Sequence, residues 1–163
     1  MQKQKTSTIL LVEDNPVYLN LLRKELEKLG YTDIVAFETA REAMEDLKTR
    51  PDIAFLDYWL EGNKTGLDVM KKLKKKYPYT QIIFLTASDD VEIAVTTMRN
   101  GAYDYIVKGD TAFIRIRHLL KKISDETERK ARSRSIIQFQ IIVIIMIIII
   151  SILGILYYHY IHD

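Results

Sequence analysis

Five residues whose side chains could do chemistry stand far apart in the chain, each directly after a short apolar run. Glu13 and Asp14 follow Ile9-Leu10-Leu11-Val12, Asp57 follows Ile53-Ala54-Phe55-Leu56, Thr86 follows Ile82-Ile83-Phe84-Leu85, and Lys108 follows Tyr105-Ile106-Val107. If those runs are neighbouring strands, three carboxylates, a hydroxyl and an amine converge on one sheet edge. Three clustered carboxylates repel one another and stay ionised together only beside a compensating cation. Oxygen donors without His or Cys suit Mg²⁺, which takes one or two carboxylates, phosphate oxygens and several waters. A carboxylate can also act as a nucleophile and form an aspartyl phosphate. The metal and Lys108 would then offset charge on the transferring phosphoryl oxygens, and Thr86 would hydrogen-bond one of them.

The elements between these residues alternate. Thr8–Val12 reads as a buried strand. Pro16 suits the first turn of a helix, and Leu19, Leu22, Leu26 and Leu29 keep helical spacing up to Gly30. Asp33–Phe37 is a second strand, and Thr39 caps a helix through Leu47. Asp52–Leu56 is a third strand, followed by a helix over Gly66–Tyr77 that stops before Pro78. Gln81–Leu85 is a fourth strand. Asp89 or Asp90 caps a helix reaching Asn100, which Gly101 ends. Tyr103–Val107 is a fifth strand, and a fifth helix runs from Thr111, continuous through the basic segment that follows. Five apolar strands separated by helices predict an α/β fold, a parallel sheet covered on both faces. Ligands in such sheets sit beyond the carboxyl ends of the strands, where the five residues stand.

At these spacings LLVEDNP, FLDYWL, IIFLTAS and YIVKG resemble the receiver domain of two-component response regulators, of the chemotaxis-regulator type. The resemblance covers residues 8 to 123. It implies a flavodoxin-like, doubly wound (βα)5 fold with strand order 2-1-3-4-5. It implies Asp57 as phosphoacceptor and Glu13 and Asp14 as the acidic metal pocket, holding Mg²⁺ or Mn²⁺ together with Asp57 and the backbone carbonyl of Trp59. Thr86 is then the switch hydroxyl, Lys108 the phosphoryl-contacting amine, and Tyr105 the aromatic whose rotamer follows Thr86. Trp59 and Ser88 fall where the family tunes dephosphorylation. The implied donor is a phosphohistidine on a histidine kinase or histidine phosphotransfer protein. The domain would be no enzyme beyond Mg²⁺-dependent self-phosphorylation and autodephosphorylation.

Two loops depart from the family. Gly109 stands where a proline usually follows the lysine, which permits several loop conformations. After Asp57 the chain reads YWLEGNKTG, with Glu61 in place of a frequent proline and a glycine one residue later. That loop is expected to be longer and reshaped. Trp59 is expected to shield the acyl phosphate from water.

Composition bounds the rest. The chain has 163 residues, no cysteine and a net charge of +2. Residues 1–120 carry 18 basic and 18 acidic side chains, which gives no reason to expect nucleic-acid binding. Residues 121–135 carry 6 basic and 3 acidic ones, directly before 24 uncharged residues from Ser135 to Tyr158. A helix needs about 20 apolar residues to span a bilayer. Ile141–Tyr158 is apolar on every side, and insertion would be favoured by on the order of 5 kcal/mol. Tyr157, Tyr158 and Tyr160 suit an interfacial belt. Lys121, Lys122, Arg129, Lys130, Arg132 and Arg134 precede the span, which keeps the domain cytoplasmic under the positive-inside rule. The expected organisation is a disordered start over 1–7, a receiver domain over 8–123, and a basic juxtamembrane segment over 124–135. A transmembrane helix over 136–158 and an exported tail over 159–163 complete it. The expected location is the bacterial cytoplasmic (inner) membrane, single-pass. Ser151 and Gly154 are three apart rather than four, so close-packed dimerisation through the tail lacks its usual spacing; a homodimer stays open.

No effector domain is recognisable after residue 123. Output is therefore expected through protein–protein contacts with a downstream protein, around the fourth helix, fifth strand and fifth helix, or the domain is a phosphate relay or sink. The alternative is a constitutive receiver-fold scaffold without significant phosphotransfer. A flavodoxin-like enzyme or nucleotide binder would need a Gly-rich phosphate loop after the first strand, where Glu13-Asp14-Asn15-Pro16 stands instead.

Overall fold

The computed structural model describes residues 7–46, 48 and 50–162, without the side chains of 131, 133–137 and 151–162. The expected disordered start lies outside them, save Ser7. Strand and helix alternate five times: β1 (Ile9–Val12), α1 (Pro16–Lys28), β2 (Ile34–Phe37), α2 (Ala40–Glu45), β3 (Ile53–Leu56), α3 (Gly66–Lys76), β4 (Gln81–Thr86), α4 (Val91–Arg99), β5 (Asp104–Val107) and α5 (Ala112–His162). The strands form one sheet in the order β2-β1-β3-β4-β5. All pairings are parallel, with Val12 opposite Phe37 and Leu56, and Thr86 opposite Val107. The chain divides into two compact units, residues 1–117 and 118–163.

Every residue of β1 and β3 is buried, so helices cover both faces of the central strands. Side chains alternate between the faces along a strand. Leu10, Val12, Ala54, Leu56, Ile82 and Phe84 share one face, with Ala40 and Ala43 of α2 and Val69, Met70 and Leu73 of α3. Ile9, Leu11, Ile53, Phe55, Ile83 and Leu85 point the other way and are equally buried. On α1, Leu19, Leu22 and Leu26 bury one stripe at helical spacing.

Four strands start one residue later than the apolar pattern suggests, at Ile9, Ile34, Ile53 and Asp104 rather than Thr8, Asp33, Asp52 and Tyr103. Asp33 and Asp52 are held at the sheet's entrance instead: the Asp33 carboxylate accepts from the Thr8 hydroxyl, and the Asp52 carboxylate accepts from the Thr8 N–H at 3.1 Å. Tyr103 donates its N–H to the Ile82 carbonyl at 2.6 Å just before β5. Helix α2 ends at Glu45 rather than Leu47, which lies outside the described residues. Asp90, not Asp89, caps α4, accepting from the Glu92 N–H at 2.8 Å.

Helix α5 runs unbroken past the expected boundary at 123. Ile141 to Ile150 are all exposed, and the sequence places only Ile, Val and Met in this stretch. Among the described residues no helix is long and apolar enough to cross a membrane. Of the span expected over 136–158, residues 136–137 and 151–158 lie outside the described side chains.

The loop after β3 is closed by backbone. Gly66 donates its N–H to the Tyr58 carbonyl at 3.0 Å, and a Cβ on Gly66 would lie 2.0 Å from the Asp57 carbonyl oxygen. Only glycine permits this approach. Gly109 is the opposite case: its φ is not positive, and an added Cβ would meet nothing within 4 Å. The glycine freedom expected after Lys108 is therefore not required by the folded conformation. Gly66→Ala should destabilise by about 1–3 kcal/mol through overpacking. Gly109→Ala should stabilise by about 0.4–1 kcal/mol by restricting the unfolded chain. Urea unfolding of the two variants measures both, and equal effects would refute the contrast.

Candidate functional site

The parallel register brings the ends of β1, β3, β4 and β5 to one edge, and each end carries a polar residue. Glu13 follows β1 and donates its N–H to the Phe37 carbonyl at 3.1 Å. Asp57 follows β3 and donates its N–H to the Val12 carbonyl at 2.9 Å. Lys108 follows β5 and donates its N–H to the Thr86 carbonyl at 2.8 Å. These bonds extend the strand ladders by one residue, which places the side chains before any of them interact.

The side chains then meet. The Lys108 ammonium donates to Glu13 at 2.7 Å and to Asp57 Oδ2 at 2.6 Å. Both carboxylates are nearly sequestered, Glu13 at 2% and Asp57 at 7% exposure, whereas Asp14 is half-buried. One oxygen from each of Glu13, Asp14 and Asp57 can be chosen so that all lie within 4.8 Å of one another. Burial pushes the Glu13 carboxyl above its ordinary value; the hydrogen bond and charge of Lys108 oppose this, and the charges of Asp57 and Asp14 add to it. Three carboxylates around one ammonium leave two charges uncompensated, and the donors are all oxygen. That set fits a divalent hard cation such as Mg²⁺, which Glu13, Asp14 and Asp57 would hold.

The remaining predicted residues surround this centre. Trp59 donates its N–H to Asp57 Oδ1 at 3.3 Å, which holds the Asp57 carboxylate from the loop side. Its ring packs edge-on against Tyr58, centroids 5.0 Å apart, and stays 58% exposed. Thr86 is fully buried, and its hydroxyl accepts from the Ser88 N–H at 3.4 Å. Tyr105 donates its hydroxyl to the Ser88 carbonyl at 2.7 Å, so Thr86, Ser88 and Tyr105 form one connected chain. Burial raises the Tyr105 phenol pKa, and the bond to Ser88 opposes the rise.

One residue near the centre was not singled out from the sequence. Tyr18, in the first turn of α1, lies with its ring centroid 4.6 Å from the Lys108 ammonium. Its hydroxyl is buried with no hydrogen-bond partner among the described residues. Burial, with the charges of Glu13 and Asp57 behind it, pushes its phenol up to about 12, so the ring is neutral at physiological pH. Its position three residues into a helix carries no motif; only the helical turn that carries it back over the strand end reveals it.

Comparison with known proteins agrees with this geometry. Residues 9–123 match the family described as response regulator receiver domain. The luminescence regulatory protein LuxO of Vibrio campbellii is 40% identical over 99 residues, 60% of this chain and 21% of LuxO. The nitrogen assimilation regulatory protein NtrX of Azorhizobium caulinodans is 33% identical over 101 residues, 61% of this chain and 22% of NtrX. The chain thus spans about a fifth of the length of these curated relatives. Among solved structures, the response regulator protein TrrA of Thermotoga maritima, in complex with Mg²⁺ and BeF, superposes with a TM-score of 0.64 at 30% identity, covering 72% of this chain and 99% of that one. The family match takes in well over half of the sequence together with every strand end of the acidic edge, and the chain belongs to the response-regulator receiver family.

Proposed function

We propose that this protein is a membrane-anchored response regulator that takes a phosphoryl group from a phosphohistidine donor onto Asp57. The observation that carries the reading is the Lys108 ammonium held between two buried carboxylates beside a third. In transfer, an Asp57 carboxylate oxygen bonds to phosphorus as the donor's P–N bond breaks. The bonding pair returns to the imidazole nitrogen of the donor. Lys108 meets the charge on the phosphoryl oxygens, and the Trp59 N–H holds the carboxylate in place. Glu13, Asp14, Asp57 and the Trp59 carbonyl would hold a divalent cation, which would supply the charge compensation that one ammonium lacks. TrrA, with Mg²⁺ and BeF, supports that choice of ion. A phosphohistidine on a histidine kinase or phosphotransfer protein is the matching donor.

Output runs through the Thr86–Ser88–Tyr105 chain to the face of α4, β5 and the start of α5. There Val91, Val95 and Met98 are exposed beside Tyr105 and Arg115. Phosphorylation would bias two arrangements of that face and so its contact with a downstream protein. Residues 136–158 anchor the protein in the cytoplasmic membrane, with the receiver on the cytoplasmic side. The support is the uncharged run, its basic flank and the uncovered Ile141–Ile150.

Lys108 is the counter-charge of the resting site. Lys108→Ala leaves Glu13 and Asp57 unpaired, and should destabilise by up to about 3 kcal/mol, the low end for a broken buried pair because the site is open on one side. In an Asp57→Asn background the cost should fall by at least half, which a double-mutant cycle in urea reads as coupling. Additive costs would sink this account of the resting site.

The functional test uses the full chain in detergent with Mg²⁺ and a small acyl phosphate. The wild type should gain the mass of one phosphoryl group with a change in Trp59 fluorescence, and Asp57→Asn should show neither. Trp59→Ala should shorten the acyl-phosphate half-life. An unchanged half-life rejects the shielding role, whereas a wild type that never gains mass leaves a receiver-fold scaffold.

Anchoring is tested separately. In cells the protein should sediment with membranes, resist alkaline extraction and dissolve in detergent. Removing residues 136–163 should release it; recovery of the intact chain in the soluble fraction would refute the anchor.

A further inference from the structure

Lysine places its charge at the end of a long flexible stem, so an ammonium that must meet a phosphoryl group needs more than its own rotamers to hold it. Two of its contacts are the carboxylates of Glu13 and Asp57. The third is the Tyr18 ring, whose centroid lies 4.6 Å from Nζ. The negative face of an aromatic ring attracts a cation within about 6 Å, and does so more strongly where water is excluded. Lys108 is 14% exposed at its side chain, so this contact acts in a largely dry setting.

The ring is itself fixed from two directions. Asn15, the cap of α1, accepts from the Tyr18 N–H at 3.1 Å and so sets the backbone that carries it. Phe113, at the second residue of α5, stacks on the ring with centroids 6.0 Å apart and an interplanar angle of 21°. The hydroxyl, buried and unpartnered, adds no polar tether. What the site uses of Tyr18 is therefore its face.

We propose that Tyr18 is a positioning residue for phosphoryl transfer: its ring holds the Lys108 ammonium beside the Asp57 carboxylate, so that the charge is in place before the donor arrives. The inference rests on the reading of Asp57 as acceptor. Without the ring, Lys108 has an apolar wall or water on its third side and samples positions away from the acceptor. A cation–π contact of this kind shifts such a balance roughly two- to thirtyfold.

The test measures the rate of Asp57 phosphorylation in the full chain, with Mg²⁺ and a small acyl phosphate, by intact mass. Tyr18→Phe keeps the face and should stay within about twofold of the wild type. Tyr18→Leu keeps apolar bulk without the face and should be slower, by up to roughly thirtyfold. Circular dichroism and urea unfolding establish that each variant folds; Tyr18→Met serves if the leucine variant does not. The same substitution is then made in Lys108→Ala, where the ring has no ammonium to hold and its loss should change the rate less than twofold. If Leu behaves like Phe, or slows the Lys108→Ala protein as much as the wild type, the positioning role is overturned. If the wild type takes no phosphoryl group, the acceptor reading fails and the inference falls with it.

Discussion

A single ammonium between two buried carboxylates sets the terms for everything else at this site. Burial drives Glu13 toward its protonated form, because an ionised carboxylate loses far more solvation than a neutral one. A protonated Glu13 would be a poor metal ligand. Lys108, whose ammonium lies 2.7 Å from Glu13 and 2.6 Å from Asp57, opposes that drift at Glu13. The opposition is incomplete, since Glu13 still lies above its ordinary value. That residual imbalance is why a divalent cation has something to gain there.

The fold meets this demand through the sheet. A parallel sheet with β1 and β3 adjacent at its centre ends two neighbouring strands side by side, so Glu13 and Asp57 arrive together without a loop having to carry either across the molecule. Lys108 must reach in from β5, two strands from β3, and a lysine stem has the length for it. A shorter cation donor there would leave the carboxylates unpaired. The same economy explains Gly66. The loop that leaves Asp57 must return α3 to the sheet so closely that a Cβ would overlap the Asp57 backbone.

How much of this could be read beforehand follows from which interactions are local in sequence. The strands were legible because a fully buried parallel strand leaves an unbroken apolar run, and Glu13, Asp57, Thr86 and Lys108 were legible because each ends such a run. The strand starts were less so: Asp33 and Asp52 look like the first strand residues but bond sideways to Thr8. The packing of Trp59 was not legible either: its ring lies edge-on against Tyr58 and leaves more than half its surface in solvent. Gly109 looked like a flexible joint, yet the folded loop asks nothing of a glycine. Tyr18 left no trace at all, since an aromatic on a helix acquires meaning only from the strand end beneath it.

Two sets of contacts lead away from the resting centre, and they begin on different atoms. One starts at the Thr86 hydroxyl and passes through Ser88 to the Tyr105 hydroxyl. The other starts at the Lys108 ammonium and passes through the Tyr18 ring to Phe113. Tyr105 leads on to α5 as well, because its carbonyl accepts from the Arg115 guanidinium at 3.2 Å. Both routes therefore end within the first turn of one helix, at residues 113 and 115. Thr86 and Lys108 stand at the ends of the neighbouring strands β4 and β5, so both routes begin at one sheet edge. Only an element touched by both can respond to their joint movement rather than to either alone. The start of α5 is placed to do so, and α5 is the helix that continues into the uncovered Ile141–Ile150.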